Sequence, residues 1–199
     1  MDKIPIILLA AGGSERMGQA KQLLPWGEKS LIEYQIELLL KLGSPVIVVL
    51  GANANSISPV IGKYKVEVVL NENWKSGMGS SVACGTKRLV GIFPDASGVL
   101  IALVDQPLIP LSHFIDLMGK FQSGKEQIIA SKGDSGWQGV PALFDAHYFD
   151  ELKSLAGEQG AKQIIRRYNE LVLSVECGML LADIDTPESY QKLLKQSGK

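Results

Sequence analysis

Residues Ile4 to Ala10 contain no polar side chain, and the run passes without a break into Ala11-Gly12-Gly13. A segment apolar on both faces is a strand buried on both sides, the mark of a parallel sheet covered by helices. The same signature returns at Val46–Leu50 and Val99–Val104, with Val66-Glu67-Val68-Val69-Leu70 as a further strand. Between these runs, residues 31–42 place apolar side chains at 32, 36, 39 and 40 before Gly43-Ser44-Pro45, and residues 80–90 also read as a helix. Strands alternating with helices build βαβ units. A helix over 111–121, strands over 127–131 and 140–144, a helix near 161–168, a strand over 171–175 and a last helix from Pro187 complete the reading. The expected fold is α/β, a three-layer Rossmann-like sandwich with a mostly parallel central sheet.

The 199 residues are expected to form a single domain over 1–199 with a substantial core. A formal net charge of −1 and no basic tract argue against nucleic acid or an anionic membrane as partner, because both reward a concentrated basic face. Cys84 and Cys177 are too few for a disulfide framework and lack zinc-type spacing, so both are expected as buried small hydrophobes. The first apolar run is too short to span a bilayer and lacks the parts of a signal peptide, which makes the cytoplasm the expected compartment.

The loop after the first strand carries the strongest chemical signal. Ala10, Ala11, Gly12 and Gly13 have almost no side chain, so backbone N–H groups there can approach a base or a phosphate, and Arg16 and Lys21 supply cationic charge. A strand's carboxyl edge is where open α/β sheets bind ligands. Gly13 and Gly18 bracket four residues as in a P-loop, but Gln19-Ala20 follow where Lys and Ser or Thr are required. The spacing also fails the dinucleotide fingerprint. The loop therefore suits a triphosphate, the alternative being an ordinary glycine-rich turn with Arg16 and Lys21 as a solvated pair.

Other strand ends add acids and small residues. Asp105 follows the strand over 99–104 and is either a magnesium ligand or a turn residue before Pro107. Asp183 and Asp185 alternate in an extended segment and can share one face, while Asp185 or Thr186 can cap the helix from Pro187. Ser80 or Ser81 is expected to cap a helix after the Asn71–Ser81 segment, in which Trp74 and Met78 read as packing residues. Gly136 to Phe144 suits a substrate-lining turn or an ordinary one. His113 and His147 belong to no triad, which leaves acyl transfer and thiol chemistry unsupported. Transfer onto a phosphate needs no such base, because a phosphate monoester with a second pKa of about 6 is already mostly dianionic at neutral pH.

The segment Leu9-Ala10-Ala11-Gly12-x-Ser14-x-Arg16-Met17-Gly18-x-x-Lys21-x-Leu23-Leu24-Pro25 resembles the signature of nucleotidyltransferases related to molybdenum cofactor cytidylyltransferases. The likeness extends through Gly77-Met78-Gly79-Ser80-Ser81-Val82, Val104-Asp105-Gln106-Pro107, Gly139-x-Pro141-x-Leu143-Phe144, Gly157-Glu158-Gln159-Gly160-Ala161-Lys162 and Asp183-Ile184-Asp185-Thr186-Pro187-Glu188. The resemblance implies a sheet of the nucleotide-diphospho-sugar transferase type and the transfer of CMP from CTP to a small phosphorylated acceptor, molybdopterin, with a molybdoenzyme receiving the product. It implies that Leu9 and Ala10 to Gly13 line the base and ribose, that Arg16 and Lys21 hold the triphosphate, and that Gly77 and Ser81 face the base from the other side. Asp105, with Asp185 and Asp183, is the implied Mg²⁺ site. Guanylyl-transferring relatives read Leu-Ala-Gly-Gly where this chain reads Leu-Ala-Ala-Gly, which favours CTP over GTP. Related loops often carry a basic residue after Gly12, and Gly13 stands there instead. The other readings are a GTP-using or sugar-phosphate nucleotidyltransferase of the same fold and a noncatalytic carrier or insertion chaperone.

Overall fold

A computed structural model describes residues 4–199. The central sheet has seven strands. They are β1 (Ile6–Ala10), β4 (Val46–Leu50), β5 (Glu67–Leu70), β6 (Gly98–Leu103), β7 (Ile128–Lys132), β8 (Gln138–Asp145) and β9 (Val172–Glu176), in the order β5-β4-β1-β6-β8-β7-β9. A separate two-residue hairpin, β2 (Pro25–Trp26) with β3 (Lys29–Ser30), closes the opening loop. The helices are α1 (Leu31–Leu40), α2 (Ala54–Ile61), α3 (Met78–Ile92), α4 (Leu111–Gly119), α5 (Phe149–Lys153), α6 (Lys162–Arg167) and α7 (Pro187–Ser197).

The completely apolar runs become the middle of the sheet. β1 pairs in parallel with β4 on one side and β6 on the other, and every residue of β1 and β4 is buried. Side chains alternate across the sheet, so Ile6, Leu8 and Ala10 enter one apolar layer with α1, α4 and α7 while Ile7 and Leu9 enter the other with α3 and α6. Gly85 lets α3 settle onto the sheet: a Cβ there would lie 2.8 Å from Ile7.

The structure adds detail to this reading and corrects one expectation, the burial of Cys84. β8 runs antiparallel to both β6 and β7, so the parallel half of the sheet carries the first strands while a hairpin occupies the other half. The segment at 66–70 is an edge strand with Val68 and Leu70 exposed. Helix α2 escapes a periodicity reading because it contains Pro59 and buries only Ile57 and Ile61. Cys177 is buried as expected, but Cys84 is only half-buried, and both thiols are free. Among the described residues, no helix is long and apolar enough to cross a membrane.

Candidate active site

The carboxyl ends of β1 and β6 open into a cavity of about 680 Å³ lined by Leu9, Ala10, Ala11, Gly12, Gly13, Arg16, Lys21, Gly77, Ser81, Asp105, Asp183 and Asp185. Thus one space brings together every residue singled out from the sequence as a nucleotide or metal contact. Trp74, Lys75, Met78 and Glu158 line it as well.

The opening loop is shaped by two polar residues. Gln22 is fully buried, and its amide nitrogen donates to the carbonyls of Ala10 and Gly12, each at 2.9 Å. Buried carbonyls need such partners, and this side chain supplies them where the loop has left the sheet ladder. Ser14 adopts a left-handed backbone conformation with φ 57°, and its hydroxyl accepts from the Lys21 backbone N–H at 3.1 Å. These bonds fold residues 12–22 back over the strand end and send Lys21 into the cavity. Sequence reading missed Gln22 because a lone glutamine carries no periodicity. Its place one residue after the lysine was the only available signal.

Lys21 Nζ lies 2.5 Å from Asp105 Oδ2, 3.2 Å from Asp185 Oδ1 and 3.1 Å from the Ile184 carbonyl. Arg16 reaches the other Asp185 oxygen at 3.2 Å. The Ile184 N–H donates to the Asp105 carbonyl at 2.9 Å, which ties the distant 183–185 segment to the end of β6. The Lys21 side chain is only 12% exposed. Burial alone works against its charge, but the Asp105 and Asp185 carboxylates outweigh that and raise its pKa.

Asp183 lies next to this group, and burial, reinforced by the Asp105 carboxylate, pushes its pKa up to about 6, while Gln106 and Lys21 pull the other way. The residue as a whole is exposed to solvent. Asp105 Oδ1 is buried and has no hydrogen-bond partner. An orphaned carboxylate oxygen beside a second acid is a setting that favours a hard divalent cation, and the donors are all oxygen. Asp105 fits that role with either Asp185 or Asp183. The three acids do not form a ready-made cage, however. Among the described residues, no group of three or more His, Cys, Asp or Glu side chains is placed to hold a metal ion. The Lys21 ammonium sits between Asp105 and Asp185. Mg²⁺ ordinarily takes one or two protein carboxylates and completes its shell with phosphate and water, so the set suits a metal delivered with a nucleotide.

The far wall also differs from expectation. Neither Ser80 nor Ser81 caps α3. The helix begins at Met78, after Gly77, which has φ 97°. A side chain at Gly77 would put its Cβ 2.5 Å from the backbone of Gly157, so this glycine serves both the turn and the close contact with the 157–158 segment. Ser80 and Ser81 instead receive the Asn71 amide at 2.8 and 3.0 Å. Trp74 lines the cavity and explains Gly13: a Cβ at position 13 would lie 3.2 Å from the indole. Thr186, with Ser189, forms the capping box of α7, which leaves the Asp185 carboxylate for Lys21 and Arg16. Of the two histidines, buried His113 has Nε2 2.7 Å from Ser131 Oγ, whose hydroxyl donates to the Pro141 carbonyl, an internal strut away from the cavity.

A mostly parallel seven-stranded sheet with a small-residue loop at its carboxyl edge, two cations by that loop and acids at the neighbouring strand ends match the nucleotidyltransferase fold class. Residues 6–172 match the model of the MobA-like NTP transferase domain, and the chain belongs to that family. It is 32% identical over 197 residues to nicotine blue oxidoreductase of Paenarthrobacter nicotinovorans, covering 94% of this chain and 95% of that protein. It is 22% identical over 191 residues to molybdenum cofactor cytidylyltransferase of Escherichia coli, covering 96% and 95%. Among solved structures, Rv0371c of Mycobacterium tuberculosis superposes with a TM-score of 0.84 at 25% identity over 98% of both chains. That protein has also been solved in complex with manganese, with a TM-score of 0.78 at 25% identity, covering 97% of this chain and 98% of that one.

Proposed function

We propose that this chain transfers CMP from CTP to the phosphate of a small acceptor, molybdopterin or its molybdenum form, and releases pyrophosphate. An acceptor phosphate oxygen forms a bond to the α-phosphorus, and the bond from that phosphorus to the bridging oxygen of the β-phosphate breaks. The observation that carries the reading is the Lys21 ammonium held within hydrogen-bond reach of both Asp105 and Asp185 below the Ala10–Gly13 loop. Lys21 and Arg16 stabilise charge on the α-phosphate and on the leaving pyrophosphate, an effect on the order of 3 kcal/mol for a well-placed donor. Gly12 and Gly13 leave room for backbone approach, while Gly77 and Ser81 stand on the opposite wall. Asp105, with Asp185 or Asp183, would hold Mg²⁺, which supplies charge neutralisation on the triphosphate. Asp105 and Asp185, which now pair with Lys21, would be the carboxylates available to such a metal, and Lys21 would be the nearest cation to the phosphates it accompanies.

CTP is preferred to GTP because Ala11 stands where guanylyl-transferring relatives carry glycine. The Ala11 methyl faces Gly51, where an added Cβ would lie 2.9 Å from it. The likeness to the nicotine blue oxidoreductase favours a second reading, oxidoreduction of a related dye. Incubation with Mg²⁺, molybdopterin and CTP or GTP, following pyrophosphate and the nucleotide-linked product, tests the first reading. A parallel incubation with nicotine blue and a reduced nicotinamide nucleotide tests the second. Product formed with CTP and not GTP is the expected result, and stoichiometric nucleotide binding without pyrophosphate would instead identify a carrier.

A further inference from the structure

The last helix, α7, is fastened along its length to the segment that leaves the nucleotide loop. Just before its start, Asp185 pairs with Lys21 at 3.2 Å, and the Ile184 carbonyl accepts from the same ammonium at 3.1 Å. One turn into the helix, the hydroxyl of buried Tyr190 donates to the Pro25 carbonyl at 2.6 Å. Beyond its far end, the Lys199 ammonium stands 3.4 Å from the centroid of the Tyr34 ring and 5.5 Å from that of Trp26, the residue after Pro25. Proline has no N–H, so its carbonyl is the one backbone group through which Pro25 can be held. The β2–β3 hairpin does not hold it there: the Leu31 N–H goes to the Leu24 carbonyl at 2.8 Å, and the N–H of Ser30, opposite Pro25, goes to Glu33 at 3.0 Å. The Leu24 N–H donates to the Lys21 carbonyl at 3.1 Å and closes a 3₁₀ turn over Lys21–Leu23.

These contacts close a ring. Lys21 meets Asp185 through the ion pair, Asp185 leads to Tyr190 through the capping box and first turn of α7, Tyr190 reaches Pro25, and Pro25 returns to Lys21 through the 3₁₀ turn. The Tyr190 bond is the link that neither a helix nor a strand ladder supplies. We propose that Tyr190 is a positioning residue for Lys21: its hydroxyl sets where the loop's exit lies against α7, and thereby where the ammonium stands relative to Asp105 and Asp185. The proposal rests on the nucleotidyl-transfer reading and deepens it, by naming what aims the cation. Tyr190 touches neither nucleotide nor acceptor, and its whole effect passes through the loop. A misplacement of about 1 Å at a positioned group can cost about 10²-fold in rate. Loss of the hydroxyl leaves the ion pairs and the turn in place, so a smaller effect is expected.

Two measurements on the whole chain test this. Pyrophosphate release in a single turnover with CTP, molybdopterin and Mg²⁺ should fall on the order of tenfold in Tyr190→Phe, as loss of one hydrogen bond does. The same change made in Lys21→Ala protein should cost less than about twofold, because a residue that acts through Lys21 has nothing left to act on. Competitive labelling with acetic anhydride, read by mass spectrometry, should modify Lys21 severalfold faster in Tyr190→Phe than in the unmodified protein, with exposed Lys87 on α3 labelled alike in both. An equal loss of turnover in the two backgrounds, or Lys21 and Lys87 gaining reactivity together, would make Tyr190 a packing residue and overturn the proposal. If the unmodified protein releases no pyrophosphate while Lys21 labelling still depends on the Tyr190 hydroxyl, the positioning stands and the transfer reading falls. If pyrophosphate is released and Lys21 labelling ignores Tyr190→Phe, the transfer reading stands and the positioning falls.

Discussion

Beside the nucleotide cavity lies a second one of about 390 Å³, lined by Trp137, Lys162 and Arg166, and the two, which meet at Leu9, Leu103 and Asp183, are built on opposite plans. The nucleotide side stands on β1 and β6, deep in the parallel half of the sheet, and its charges are already paired: Lys21 with Asp105 and Asp185, Arg16 with Asp185. The other side stands on an antiparallel hairpin and a six-residue helix, and its cations face an aromatic ring and a glutamine rather than an acid. Lys21, 12% exposed, is held by its acids, whereas Arg16 on that side and Arg166 on the other lie open to solvent. The difference teaches that the side built on the parallel strands already satisfies most of its own charges, while the side built on the hairpin leaves its cations without an acid partner among the described residues.

Substitutions can break this division. The largest effect is expected at Lys21→Ala, with pyrophosphate release in a single turnover falling about 10²- to 10³-fold. A change under tenfold would mean that the paired lysine is scaffolding. Asp105→Asn should cost about a hundredfold and also weaken Mn²⁺ binding measured by electron paramagnetic resonance, with chelation of the metal abolishing turnover of the unmodified protein. Gln22→Ala strips two loop carbonyls of their donor. It should lower unfolding free energy in urea by about 1–3 kcal/mol and weaken CTP binding. Gly139→Ala would dislodge the Trp137 indole on the other side, and it should leave the CTP KM unchanged. A raised CTP KM would erase the boundary between the cavities.

The smallest change serves as a control away from both cavities. Glu33 closes the capping box of α1, and its bond from Lys63, helped by the Ser30 hydroxyl, lowers its carboxyl to about 2. A depressed acid contributes stability above its unfolded pKa, about 4.5, and loses that contribution as pH falls toward 2. Glu33→Gln should therefore cost about 1 kcal/mol at pH 7, after solvent screening of the exposed Lys63, and almost nothing near pH 2. Denaturant titrations at the two pH values read the difference.

The central strands were plain in the sequence because burial on both faces leaves no polar residue in β1, β4 or the core of β6. The small-residue loop and its two cations were equally plain as a feature, and the structure places Gly12, Gly13, Arg16 and Lys21 around one cavity. Less legible was the edge: β5 carries an apolar run, yet Val68 and Leu70 face solvent, because composition does not say which strand ends a sheet. The start of α3 was misplaced by two residues, since serines suited to a cap were used by Asn71 and the turn was made by Gly77.

Sequence by itself determined the alternating strands and helices, the small-residue loop and the inventory of charged groups, all of which follow from local patterning. Only the tertiary structure decided which of those groups meet. Lys21 lies 84 residues from Asp105 and 164 from Asp185, and nothing local specifies that the ammonium sits between them. The hydrogen bond from Ile184 to the Asp105 carbonyl and the Gln22 staple on the loop bring them together. Trp137 likewise acquired its platform only when two glycines in the hairpin turned their bare backbones under the ring. Long-range contacts of this kind arise from chain folding and packing, which leave no periodic trace along the chain.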